Sequence, residues 1–283
     1  ESPKLAYWQH GNSTNPKVVL CVHGLTRNGR DFDYLADALK SEYRVICPDM
    51  PGRGQSDWLT NTQQYHYNTY TDALLTLLKH LQCDPVQWIG TSMGGILGMR
   101  FAAEHPEYLE KLVLNDIGAV IPMEGLKRIN NYVGMTMQFS GRDEASAYLQ
   151  EIFAQFGITK SEHWTHLLEH SFVQTNNGEY QLAYDPGILD PLRDQARNLT
   201  MSEDMQLWPW WEKITIPTLI IRGEDSDILP APIASDMVQK SSKSQLVTIK
   251  GAGHAPALME DDQTQLIYKW LNGTDCALSA NTV

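Results

Sequence analysis

Long apolar runs are missing from this chain. No window of its 283 residues approaches the roughly 18 consecutive apolar positions of a membrane-spanning helix. The opening Glu1-Ser2-Pro3-Lys4 has none of the basic-then-apolar character of a secretory leader, so no membrane partner is expected. Basic residues are in short supply as well: 22 Lys and Arg face 34 Asp and Glu, a formal charge of −12. Such a balance repels nucleic acid and anionic lipid surfaces, so neither is expected as a partner. Cysteine is sparse and scattered, at positions 21, 47, 83 and 276, without a CxxC pair. That spacing argues against a disulfide framework or a zinc ribbon, and Cys21 and Cys47 fall inside apolar runs. Buried, reduced thiols in a cytoplasmic protein are the expectation. No internal repeat is evident.

The sequence does contain a regular alternation of short apolar runs with helix-spaced segments. Tyr7 and Trp8 suggest a short opening strand, and Val18-Val19-Leu20-Cys21-Val22 is a continuous apolar run of the kind buried on both faces of a parallel sheet. Phe32, Leu35, Ala36 and Leu39 recur at helical spacing. The pattern continues with a strand over 43–49, a helix marked by Tyr70, Leu74, Leu77, Leu78 and Leu81, a strand ending at Ile89, a helix from Ile96 and a strand over 111–115. From Ala119 to Pro209 the alternation stops and helical patterns rich in Met and aromatic residues take over. It resumes with strands over 217–223 and 245–249, each followed by a helix, and a frayed tail from Asn272 is expected. The reading is a mostly parallel, doubly wound α/β core over 1–118 and 210–283, interrupted by a helical cap insertion over 119–209.

Where the strand ending at Ile89 meets the next helix, Gly90-Thr91-Ser92-Met93-Gly94 spells G-x-S-x-G, the nucleophile elbow. A serine on so sharp a turn is forced above the strand ends, and the following helix aims N–H groups and its positive dipole end at the same place. Three further motifs follow strands in order: His23-Gly24, Asp49-Met50-Pro51-Gly52-Arg53-Gly54-Gln55-Ser56, and Gly253-His254. Together they resemble the α/β-hydrolase superfamily over nearly the whole chain, which implies the α/β-hydrolase fold and a capped serine hydrolase. By that resemblance Ser92 is the nucleophile, His254 its base, and the backbone N–H groups of Leu25 and Met93 the oxyanion donors.

The third member of the triad departs from the commonest pattern. Many relatives carry Gly-x-x-Asp after the penultimate strand, but Gly223-Glu224-Asp225-Ser226 puts serine there, with Asp225 and Asp227 on either side. Some members, such as haloalkane dehalogenases, instead place the acid after the preceding strand, and Asp116 lies at the matching distance from Ser92. Asp116 is favoured, Asp227 is the alternative, and Asp225 comes third.

The expected reaction is hydrolysis of a small or medium ester, lactone or amide through an acyl-enzyme on Ser92, with a small-molecule substrate and no cofactor. The same triad could serve a C–C bond hydrolase of ring-cleavage products or a cofactor-free haloperoxidase. A non-catalytic ligand-binding module on the same fold is the reading of a different class. Arg27 is a weak substrate-binding candidate, and so are Arg128, Arg142 and Arg193, while Arg53 reads as structural. Met123, Tyr132, Met135, Met137 and Phe139 could line a pocket but read more readily as packing. Trp208-Pro209-Trp210-Trp211 reads as a packed hinge. His166-Leu167-Leu168-Glu169-His170 matches H-x-x-E-H, with His163 one turn earlier. With no further ligand downstream in frame, it reads as a solvated helix face, and no metal is expected. Either a monomer or a dimer is compatible with the sequence.

Overall fold

The apolar runs form the centre of a seven-stranded sheet in the computed structural model, which describes residues 3–131, 133, 137–191 and 203–274. The strands of this sheet are β1 (Tyr7–His10), β2 (Val18–Val22), β3 (Arg44–Pro48), β4 (Val86–Thr91), β5 (Leu109–Asn115), β11 (Thr218–Gly223) and β12 (Ser244–Ile249). Five short strands lie between β5 and β11: β6 (Val120–Ile121), β7 (Gln138–Phe139), β8 (Phe172–Gln174), β9 (Tyr180–Leu182) and β10 (Met205–Gln206). The large sheet runs β1-β3-β2-β4-β5-β11-β12, and only β1 is antiparallel to its neighbour. Every residue of β2 is buried, as a strand covered on both faces requires. Each such aliphatic side chain contributes roughly 1.5–3 kcal/mol by leaving water.

Three helices of the first half follow the expected periodicity. They are α1 (Asp33–Leu39), α2 (Tyr67–Leu81) and α3 (Met93–Glu104). In α2 the buried face is Tyr70, Thr71, Leu74, Leu77 and Leu78, the spacing of an amphipathic helix. Gln82 ends α2 in the left-handed conformation and returns its N–H to the last turn. The helices Ala231–Lys240 and Asp261–Leu271 close the second half. No helix among the described residues is long and apolar enough to cross a membrane.

Between β5 and β11 no described residue joins the large sheet. This insertion carries α4 (Met123–Asn130), α5 (Arg142–Ile152) and α6 (Ser161–Ser171). It is less purely helical than the sequence pattern indicates, because β7, β9 and β8 form a small antiparallel sheet and β6 pairs with β10. Strands of two or three residues are too short to register as a period of two. Its two ends lie side by side, with Leu207 N–H donating to the Ala119 carbonyl at 2.7 Å. Met123 and Phe139 are buried, and Phe139 stacks edge-on against Phe172 at 5.3 Å. Tyr132, Met135, Arg193 and Cys276 lie outside the described residues. Trp208–Trp211 is a single helical turn whose last residue is buried against the core.

Candidate active site

The turn after β4 is held by sterics. Ser92 has φ 51° and ψ −114°, a conformation that L-residues avoid, between the last residue of β4 and the first of α3. Glycine on either side makes the turn possible. A Cβ on Gly90 would sit 2.3 Å from the Gly94 carbonyl oxygen, and one on Gly94 would sit 1.9 Å from that of Val22. The strained serine is also tied to its neighbouring strand, because Ser92 N–H donates to the Asn115 carbonyl at 3.0 Å.

Asp116, His254 and Ser92 form one chain of hydrogen bonds. His254 Nδ1 lies 2.8 Å from Asp116 Oδ2, and His254 Nε2 lies 2.9 Å from Ser92 Oγ. A carboxylate can only accept, so the Nδ1 proton points at Asp116 and leaves the Nε2 lone pair facing the serine hydroxyl. Asp116 is fully buried, at φ 55°, and accepts two further hydrogen bonds: Gly223 N–H donates to Oδ1 at 2.7 Å and the Ser226 hydroxyl donates to Oδ2 at 2.5 Å. Ser226 is fixed in turn by accepting from the amides of Ile228 and Leu229. Ser226, which follows β11, therefore braces the Asp116 carboxylate at the end of the adjacent strand β5, a contact that the sequence pattern does not reveal. Asn115 links the two loops, because its side-chain amide donates to Thr91 Oγ1 and to the Pro256 carbonyl.

The alternative acids point elsewhere. Asp227 is gripped by Arg128 of α4 at 2.5 and 2.8 Å. Partial burial raises the Asp227 carboxyl, but the Arg128 hydrogen bonds and charge outweigh it and hold the group below the usual range. Asp225 is exposed.

Leu25 and Met93 sit on either side of Ser92, and a third residue ties them together. The Arg53 guanidinium is completely buried, donates to the Leu25 carbonyl at 2.8 Å and reaches Met93 Sδ at 3.7 Å. It also donates to the Pro51 carbonyl and the Tyr70 hydroxyl. Met93 N–H leads α3, where helix geometry provides no internal acceptor. His23 locks the opposite loop: its Nδ1–H donates to the Gly24 carbonyl and its Nε2 accepts from Met50 N–H. Burial drives its pKa down to about 3, so it is a neutral clamp and not a base.

Two chambers open from Ser92. One, of about 60 Å³, is lined by Thr26, Arg27, Asp31, Ser92, Phe153 and His254, among others. The other, of about 260 Å³, is lined by Leu25, Ser92, Met93, Ile96, Ile121 and Leu126, among others. Phe153 and Leu167 of the insertion wall the first, and Leu126 and Ile188 wall the second. Met123, Met137 and Phe139 line neither. The insertion also holds the histidine loop, since Gly253 N–H donates to the Gln155 carbonyl at 2.7 Å and Ala257 N–H to that of Phe156 at 3.0 Å.

Arg27 borders the small chamber with its charge already committed, bidentate to Asp31 and donating to Ser171 Oγ at 2.6 Å. Arg142 faces Glu169 across the surface. The H-x-x-E-H histidines meet Asp33, which lies far upstream at the start of α1. His166 Nε2 is spent on the Arg30 carbonyl, however, and the Arg30 guanidinium lies 2.5 Å from Asp33 Oδ2. A cation there would face a fixed positive charge on its single carboxylate. Nor is the group the solvated helix face expected from the sequence: His163 is buried against Glu260, and His166 clamps α6 to the start of α1. Cys21, Cys47 and Cys83 are buried free thiols.

Comparison with known proteins agrees with this architecture. Over 273 residues the chain is 37% identical to the 3-hydroxybutyrate-oligomer hydrolase of Cupriavidus necator, covering 95% of this chain and 93% of that protein. A solved structure from Rickettsia typhi superposes with a TM-score of 0.89 at 37% identity, over 96% of this chain and 92% of the other. An alpha/beta hydrolase from Novosphingobium aromaticivorans gives a TM-score of 0.82 at 34% identity, over 96% and 98%. The family profile of the alpha/beta hydrolase fold matches residues 17–261, and with the sheet order and the elbow described above the chain belongs to the alpha/beta hydrolase family.

Proposed function

We propose that the chain is a serine esterase acting on short hydroxyacid esters, with oligomers of 3-hydroxybutyrate as the substrate class to test first. The unbroken Asp116–His254–Ser92 chain of hydrogen bonds carries this reading. His254 Nε2 takes the serine proton as Oγ attacks the ester carbonyl, and Asp116 steadies the imidazolium that forms. The amides of Leu25 and Met93 receive the oxyanion, and the strained turn holds Ser92 ready without reorganisation. The leaving alcohol takes the proton back from His254, and water then releases the acid by the same steps in reverse. The insertion acts as the cap that sizes the substrate. Support for the substrate class comes from the 37% identity, over 95% of the chain, to an enzyme named for hydrolysing such oligomers.

The test is fluorophosphonate labelling together with hydrolysis of p-nitrophenyl acetate and of a 3-hydroxybutyrate trimer. The wild type is expected to label on Ser92 and to turn over both substrates. Ser92→Ala should lose on the order of a million-fold in kcat. Turnover surviving in Ser92→Ala would reject the acyl-enzyme.

A further inference from the structure

The two chambers differ in more than size, and His254 touches only one of them. The tetrahedral intermediate on Ser92 has three substituents to place besides Oγ. The oxyanion goes to the Leu25 and Met93 amides, and the leaving oxygen must come within reach of His254 Nε2 to recover its proton. His254 borders the chamber of about 60 Å³ and is absent from the lining of the chamber of about 260 Å³. The leaving alcohol therefore belongs in the small chamber, and the acyl group takes the remaining direction, into the large one.

Chemistry of the walls agrees with that assignment. Thr26, Arg27, Asp31 and Thr91 border the small chamber. The large chamber has no Asp, Glu, Lys or Arg among its described lining residues; Met93, Ile96, Ile117, Ile121 and Leu126 give it an apolar wall, and His66, Tyr67, Tyr70 and Asn130 are among its polar lining. A carboxylate placed there would lose its water with no cation to replace it, a cost of several kcal/mol. The small chamber offers the hydroxyls of Thr26 and Thr91, and the Arg27–Asp31 ion pair gives it a polar wall of no net charge.

We propose, building on the esterase reading above, that the enzyme reads its ester directionally: a bulky, uncharged acyl group in the large chamber and a small polar alcohol in the small one. In an oligomer of a hydroxyacid every alcohol-side fragment ends in the free carboxylate. A small alcohol chamber then admits one unit, and the chain is shortened from its carboxyl end one monomer at a time. In each cycle the acyl C–O bond breaks, the Ser92 ester forms and the departing monomer oxygen keeps the proton from His254. Water then adds to the acyl-enzyme, restoring the Ser92 hydroxyl and freeing the shortened acid.

Ethyl octanoate and octyl acetate, isomers of equal apolarity, put the long chain on opposite sides of the same bond and so test the direction. Ethyl octanoate is expected to have at least about a tenfold higher kcat/KM, and adding a terminal carboxylate to the acyl chain, as in ethyl hydrogen suberate, should cost about another tenfold. A 3-hydroxybutyrate tetramer should yield monomer and trimer in equal amounts before any dimer. Leu126→Trp, with its folding checked by circular dichroism, should lower the ethyl octanoate to octyl acetate ratio by about tenfold. Equal or reversed rates for the isomers, dimer appearing first, or a ratio unmoved in folded Leu126→Trp would overturn the directional reading and leave the esterase standing. A chain that neither labels with fluorophosphonate nor hydrolyses any of these esters would overturn the esterase reading itself.

Discussion

In the seven-stranded sheet, Ser92 and Asp116 follow directly on the ends of β4 and β5, so strand pairing sets where both side chains stand, while His254 lies on the loop after β12. The insertion reaches the same place by other means. It offers side chains such as Phe153, Leu167 and Leu126 as chamber walls, and two backbone carbonyls that hold the histidine loop. The contrast shows where tolerance lies. A parallel sheet cannot shift one strand without moving its neighbours, so the positions of Ser92 and Asp116 are over-determined. The chamber walls rest on packing of α4 to α6, which can change residue by residue while the hydrogen-bond chain stays intact.

The largest effect that would sharpen this contrast comes from the two candidate acids, one on the sheet and one bridged to the insertion. Asp116→Asn should lower kcat on the order of ten-thousand-fold, because an amide favours the wrong imidazole tautomer. Asp227→Asn breaks a half-exposed pair with Arg128 and should cost about 1 kcal/mol of stability or less, with kcat kept within a few-fold. Comparable losses in steady-state assays of the two variants would erase the distinction.

Next in size is the brace on the acid. Ser226→Ala removes a hydrogen bond to a buried carboxylate, worth about 1.5–3 kcal/mol, and should lower kcat roughly 10- to 100-fold. Ser226→Asp introduced into Asp116→Asn places a carboxylate where many relatives carry theirs, and partial recovery of kcat is the expected outcome. Wild-type rates in Ser226→Ala would show that the sheet alone orients Asp116.

Acid sensitivity is the mildest probe, again with one histidine on each side. His23, in the core, is held at about 3 against 6.5 when unfolded. Between those values the unfolded chain binds the extra proton, so stability is complete above pH 6.5 and falls as the pH drops towards 3, by roughly 5 kcal/mol at most. His170, in the insertion, is lowered to about 4 mainly by burial, with Arg30 and His166 adding to it. The sign is the same, but the ring is only partly shielded and its share is smaller. Thermal melts from pH 7 to 4 should show His23→Gln flattening the acid limb more than His170→Gln does. The reverse order would place the acid-sensitive region in the insertion.

Most of the core could be read in the sequence because its signals are local. Val18–Val22 needs no partner to announce a buried strand, and the α2 stripe is set by a period of 3.6. Gly90-x-Ser92-x-Gly94 is legible for the same reason: each glycine answers a clash within one turn and the strand beside it. The insertion was harder. Its strands of two and three residues are defined by distant pairing, as of Gln138 with Gln181, which no local pattern carries.

The sequence by itself determined the order of sheet strands and helices, the elbow and the identities of Ser92 and His254 as candidates, since these depend on periodicity and on backbone strain at glycine. The sequence favours Asp116 over Asp227 on its distance from Ser92 and on the serine at 226, and the tertiary structure decided between them by bringing Asp116 to His254. Only the folded arrangement turns Asp227 towards Arg128 and brings Ser226 beneath Asp116. It also made Arg53 the link between Leu25 and Met93 and split the space above Ser92 into two unequal chambers. Those are contacts between segments tens of residues apart, and their geometry exists only once the sheet has closed.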